Sequence, residues 1–277
     1  MAKDLPIHEA AEAGDLAAVR KLLKASPRLV GAVSSAGEQP LHLAAWRNHL
    51  AVAKYLLASH ANVGARGDRG QTPLHYAARH GAVATADLLI EHGAEVNARD
   101  ATDFTPAFYA ARGRDPECEQ ILESLLAAGA EVDLNLAVCM GDEARVEEML
   151  AADPKAVKKA RWPRDLVLDA VIELNGQVLG ELGFGGKPGD HLRVMRKHDG
   201  MLRRLLAAGA PIDRPQYGWS PLFHSCQMDH PYVTELLLEH GADPNVTYRG
   251  DSLASVLGSS ASRGQMLAAL KRAGFRG

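Results

Sequence analysis

Apolar positions along this chain come in short helical blocks separated by polar breaks. In the segment from Gln71 to Asp103, QTPLHYAARHGAVATADLLIEHGAEVNARDATD, Ala77 and Ala78 give a first helix a small face, and Leu88, Leu89 and Ile90 give a second one a bulky stripe. The polar run from Asn97 to Asp103 then reads as a projecting turn. Written above its predecessor from Glu38 to Gly70, EQPLHLAAWRNHLAVAKYLLASHANVGARGDRG, the segment falls into register at Pro, Leu, His, Ala-Ala and the Leu-Leu pair. A period of about 33 residues marks a repeat array, in which each helix pair buries its apolar face only against its neighbours.

The next unit, FTPAFYAARGRDPECEQILESLLAAGAEVD from Phe104, keeps Thr-Pro at the same offset and regains Gly-Ala three residues late. Its extra residues, around Arg114 to Glu117, are expected between the two helices. LPIHEAAEAGDLAAVRKLL from Leu5 opens the array, and WSPLFHSCQMDHPYVTELLLEHGADPN from Trp219 recovers the pattern late in the chain. A degenerate copy starts at Leu134, and LVLDAVIELN from Leu166 with MLRRLLAAGAPID from Met201 reads as another unit, split by about 23 residues. DSLASVLGSSASRGQMLAALKRAGF closes the chain as a capping pair. The expected organisation is a single domain over 1–277, with units at about 5–37, 38–70, 71–103, 104–133, 134–165, 166–218, 219–250 and 251–277.

Local chemistry agrees with the pattern. Thr72 can cap a helix N-terminus through its hydroxyl, and Pro73 suits the first helical position, where its missing N–H would be unsatisfied anyway. Gly93 fits the left-handed residue that ends a helix. The spacing, the T-P-L-H-x-A-A element and the Gly-Ala-x-x-N close resemble the ankyrin repeat family. That resemblance implies an all-α fold, a solenoid of about eight helix pairs with short projecting β-turns or hairpins and one insertion.

Composition fits a thin layered architecture. Of the chain, 47% is hydrophobic but only 5% aromatic, and 46 alanines account for much of the apolar total. A single large core would draw on more bulky side chains. Alanine vanishes between Val171 and Gly200, where the array is interrupted. A net charge of -3 and the lack of an unbroken basic face argue against nucleic acid. Cys118, Cys139 and Cys226 are odd in number and show no CxxC spacing, so they read as reduced thiols. No stretch approaches the roughly 18 apolar residues of a membrane span, and the N-terminus has no apolar signal-like run. The expectation is a cytoplasmic monomer, since a solenoid capped at both ends has no need to assemble.

The twelve histidines sort mainly into repeat positions. His8, His42, His75 and His224 occupy the H of T-P-L-H, where the family's ring bonds backbone and Thr near the turn. His49, His92 and His240 also fall at repeat positions, and His60 replaces the terminal Gly, a left-handed site His tolerates. His80, His191, His198 and His230 have no repeat explanation. There is no HExxH and no Cys/His quartet, and His191 and His198 are two helical turns apart, so no metal and no cofactor is expected. The Gly-rich stretch Gly183 to Gly189 fails as a phosphate loop, because Glu181 and Pro188 stand where Gly and Ser or Thr are needed. The excursion over about 176–200 reads as a loop followed by an extension of the second helix, from His191 to Leu206.

The resemblance further implies that residues just after Ala-Ala, and those at the turn tips, face a concave groove where partners bind. Carried over, the helix positions are Trp46 and Arg47, Arg79 and His80, and Arg112. The tips add Arg66, Arg69, Arg99, Asp103 and Phe104. Trp162, in the linker before the interrupted unit, and Trp219 complete the candidate surface. Arg beside exposed aromatic rings is the composition of interface hot spots and suits carboxylates. The expected function is a non-catalytic scaffold that binds another protein or an acidic peptide. The rival reading is a small-molecule or anion-binding protein, or an enzyme, with 176–200 as a lid over the groove.

Overall fold

A computed structural model describes residues 5–67, 69–113, 115–159, 167–168, 170–171, 174, 196, 198–213, 220–248, 250–257 and 262–276. Trp162, Trp219 and most of the 176–200 excursion lie outside the described residues. The chain divides into two compact units, Met1–Val132 and Asp133–Gly277, and the division falls between two of the expected repeats.

Unit 1 is a row of helix pairs. These are α1 (Pro6–Ala13) with α2 (Leu16–Ala25), α3 (Pro40–Trp46) with α4 (Leu50–Ala58), α5 (Pro73–Arg79) with α6 (Val83–Glu91), and α7 (Pro106–Arg112) with α8 (Pro116–Ala127). The first helices α1, α3, α5 and α7 pack on one another in turn, and the second helices form a layer behind them. Ala44, Ala45, Ala77 and Ala78 are fully buried, so these short helices meet through methyl groups, while Leu56, Leu89 and Leu125 fill the space to the second layer. Each first helix starts with Pro at its first turn. Gly93 ends α6 at φ +78°, and His60, in the same register after α4, adopts φ +66°. The extra residues of the fourth pair do not loop out as expected. With Asp115 as N-cap and Pro116 at the first helical position, α8 starts in the same register as α4 and α6 but runs on at its C-terminal end, giving 12 residues against 9.

The T-P-L-H histidines His42 and His75 join neighbouring repeats, and His8 makes the same pair of bonds within the first. The Nδ1 atoms of His8, His42 and His75 accept the backbone N–H of Leu5, Gln39 and Thr72 at 3.0–3.1 Å. An acceptor at Nδ1 leaves the ring proton on Nε2, which donates onward to the carbonyls of Ala32, Gln71 and Phe104 at 2.9–3.1 Å. Burial pushes the His42 and His75 pKa values down, keeping the rings neutral. Thr72 is the N-cap of α5, and its hydroxyl lies 2.8 Å from His75 Nδ1. His92 and His240 instead bond the carbonyl one turn back in their own helices, at 2.9 and 2.8 Å.

Unit 2 repeats the plan less regularly. It contains α9 (Leu134–Cys139), α10 (Glu143–Ala152) and α11 (Ala156–Lys159), followed by α12 (Gly200–Ala207), α13 (Pro221–Gln227) and α14 (Pro231–Glu239). A hairpin pairs β1 (Thr247–Tyr248) with β2 (Asp251–Ser252) and leads into α15 (Leu253–Leu257) and α16 (Arg263–Arg272). Asp133 and Ser220 cap α9 and α13 by accepting the Leu136 and Phe223 N–H groups. Val167, Leu168, Ala170, Val171 and Leu174 are helical and buried, as expected for the first half of the interrupted unit. In the second half Arg196 and His198 are helical and a turn at Asp199 precedes α12 at Gly200, so the expected helix over 191–206 is interrupted at Asp199, while 191–195 and 197 lie outside the described residues. Arg204 ties α12 to α10 through Glu143 and Glu147.

Among the described residues no helix is long and apolar enough to cross a membrane, and no group of His, Cys, Asp or Glu side chains is placed to hold a metal.

Candidate partner-binding groove

The sequence period places chosen positions of every first helix of unit 1 in rows. One row reads Glu12, Trp46, Arg79 and Arg112, the next Arg47 and His80, and a third Glu9, Leu43, Tyr76 and Tyr109. Arg47, Arg79, His80 and Arg112 are exposed, and Trp46 is half-buried.

These side chains are organised through rings. Trp46 and His80 lie with ring centroids 5.7 Å apart, and the Arg47 guanidinium stacks over the Trp46 ring at 3.9 Å while pairing with Glu12 at 2.8 Å. Arg79 lies over Tyr109 at 5.8 Å, and Arg112 over Phe108 at 5.6 Å. Burial, then the charges of Arg79 and Arg47, pushes the His80 pKa down, so its ring is neutral near pH 7.

Two tyrosines anchor the floor by the same rule, each reaching a residue 38 positions earlier. Tyr76 donates to Glu38 Oε1 at 2.9 Å, while Ser34 donates to Glu38 Oε2 at 2.8 Å. Gln71 donates to the Tyr109 hydroxyl at 2.7 Å, and Tyr109 donates to Asp100 Oδ2 at 2.8 Å. Burial pushes the Tyr109 hydroxyl up to about 12, reinforced by its bond to Asp100. Burial also drives the Asp100 carboxyl upward, but bonds from Thr102, the Phe104 N–H, Gln71 and Tyr109 outweigh it and hold that carboxyl below its ordinary range. Between α1, α3 and α5 the surface opens into a cleft of about 420 Å³, walled by Trp46, Tyr76 and His80 and carrying Glu9, Glu12 and Glu38.

The expected turn-tip residues also make bonds within the chain. Arg66 donates to the carbonyls of Gly70, at 3.1 Å, and Arg99, at 2.6 Å, so it links successive turns. Arg99 pairs with Asp103 at 3.4 Å and bonds its carbonyl. Arg69 is exposed. Phe104 corrects the reading as a tip residue: it is only 3% exposed and stacks on Phe108 with centroids 4.2 Å apart. It shares the register of Glu38 and Gln71, which points inward, and that shared register was the signal. Glu9, Glu12, Glu38 and Tyr76 were missed as lining residues. Glu12 stands in the same register as Trp46 and Arg79, so extending the row to the first repeat would have found it.

Models of ankyrin repeats match residues 60–136, as three copies, and 25–77, as many copies, and a model of the single ankyrin repeat matches residues 217–249. No curated protein matches the chain.

Proposed function

Because the chain belongs to the ankyrin repeat family, whose repeats are generally protein–protein interaction modules, we propose that it is a non-catalytic scaffold binding a partner protein along the first-helix face of unit 1. The observation that carries the reading is the Trp46, Arg47, Arg79 and His80 cluster, an exposed set of rings and guanidinium groups beside a 420 Å³ cleft. Interface energy concentrates on such anchors, because a ring held in place contributes area at little entropic cost. Arg79 and Arg112, each extended over an aromatic ring, are the groups that would meet acidic side chains of the partner.

The test is affinity capture from native cell extract by the intact chain and by the Trp46→Ala plus Arg79→Ala double variant, with circular dichroism confirming that both are folded. Loss of specific proteins with the variant supports the reading; recovery of the same proteins in the same amounts removes this surface from it.

A further inference from the structure

The cleft between α1, α3 and α5 has a charge sign that the arginine-rich row beside it does not share. Its lining carries three carboxylates, Glu9, Glu12 and Glu38, against the single guanidinium of Arg79. We infer that this cleft receives the side chain of an arginine carried by the partner segment, a proposal that rests on the groove being a protein-binding face.

Three observations lead there. First, the charge balance favours a cationic occupant: even with Arg47 counted at the rim through its pair with Glu12, one negative charge is left over. His80 adds no positive charge, since burial and the two neighbouring arginines keep its ring neutral. Second, the carboxylates are arranged for a cation. Glu38 is fixed from both oxygens by Tyr76 and Ser34, and each oxygen keeps a lone pair, while exposed Glu9 has no hydrogen-bond or ion-pair partner among the described residues. Third, the chain supplies its own precedent. The Arg47 guanidinium lies 3.9 Å from the Trp46 ring centroid with Glu12 at 2.8 Å, which is a guanidinium held between an indole face and a carboxylate at the edge of this cleft.

Arginine is favoured over lysine for the same geometry. A planar guanidinium stacks on an aromatic ring and offers parallel donors to a carboxylate, whereas an ammonium is a strongly hydrated point charge. The volume of about 420 Å³ lies within the range of ligand sites and leaves room for the side chain with its bridging waters. The groove thereby acquires a direction: a cation site at the α1–α3 end, and Arg112 towards α7.

The experiment titrates N-acetyl-arginine methylamide into the full chain and follows the Trp46 indole N–H resonance, assigned by its loss in Trp46→Phe. Parallel titrations use the citrulline analogue, which has nearly the same shape without the charge, and the lysine and glutamate analogues. A saturable shift with arginine is expected, at least about fivefold weaker with citrulline and weaker with lysine, as the attraction of a cation to a ring and a carboxylate requires. Glu9→Gln, which disturbs no partner among the described residues, should weaken the arginine response by roughly two- to fivefold, the range of a solvent-exposed ion pair. No saturable shift, an equal response to citrulline or lysine, or tighter binding of the glutamate analogue overturns the proposal. The titration contains no partner, so its failure leaves the groove reading standing. A chain that responds to arginine but captures no protein keeps the cation site and removes the groove reading, and with it a protein partner as the source of the arginine.

Discussion

Replacing His75 with leucine tests the bond that joins one repeat to the next. The ring is 1% exposed, and it satisfies the Thr72 N–H through Nδ1 and the Phe104 carbonyl through Nε2. Leucine keeps the bulk but leaves both backbone groups unpaired in the interior. At about 1–3 kcal/mol for each, the expected loss is about 2–6 kcal/mol. Urea unfolding well above pH 6.5 reads that loss directly, and acid adds a second readout. The unfolded ring takes its proton near 6.5, while burial holds the folded pKa below that value. The stabilisation from neutral His75 is therefore full above 6.5 and is lost as pH falls through 6.5 towards the folded pKa, with a limiting slope of about 1.4 kcal/mol per pH unit. His42 has a lowered pKa of the same origin and His80 is lowered too, so in wild-type unit 1 the slopes of all three add, and His75→Leu should remove one of them. A loss below about 1 kcal/mol, or an unchanged acid slope, would refute the claim that the T-P-L-H ring is a neutral bridge between repeats.

Other outcomes follow from local geometry. His60→Gly should raise stability by up to about 1 kcal/mol, because a side chain at φ +66° carries a left-handed cost that glycine escapes; Gly93→Ala, at φ +78° with open space around it, should lose about 1–2 kcal/mol in thermal unfolding. Cys226 is buried, and burial pushes its thiol up to about 11; Cys118 is buried and also raised, while Cys139 is only half-buried. A disulfide reagent at neutral pH should therefore modify Cys139 first and the other two only on unfolding, and prompt labelling of Cys226 in the folded chain would contradict that environment. Arg66→Ala should cost less than about 1 kcal/mol and leave partner capture unchanged, because its bonds run to Gly70 and Arg99 within the chain; loss of capture would place the turn tips in the interface.

The sequence was most informative where one residue type has one structural use. Pro at a helix start, Ala-Ala at a close helix contact, and Gly93 or His60 at a left-handed stop each have a steric reason that survives without coordinates. The T-P-L-H histidines were legible for the same reason, since four rings in one register suit a recurrent backbone bond better than a metal. Arginine at the turns is ambiguous, because the hydrogen-bond acceptors of Arg66, beside its looser pair with Glu95, are carbonyl oxygens, and a carbonyl has no side-chain signature. Phe104 is ambiguous for a related reason: a ring beside a polar turn reads as displayed, although its register with Glu38 and Gln71 points inward and it stacks on Phe108. The cleft's charge escaped because the arginine row was followed from Trp46 onward, although its first member, Glu12, carries the opposite sign. The three extra residues of the fourth repeat are expected in a loop from the break in the pattern near Arg114, whereas α8 keeps the start register of α6 and is three residues longer at its C-terminal end.

The most direct measurement of the groove assignment is site-specific photocrosslinking in native extract. A photoreactive phenylalanine analogue is placed in turn at His80, on the groove face, and at Lys54, exposed on the second helix of its pair. Binding along the first-helix face predicts crosslinked partner from position 80 and none from position 54. Crosslinks from 54 with none from 80 would place the partner on the opposite layer and contradict the account.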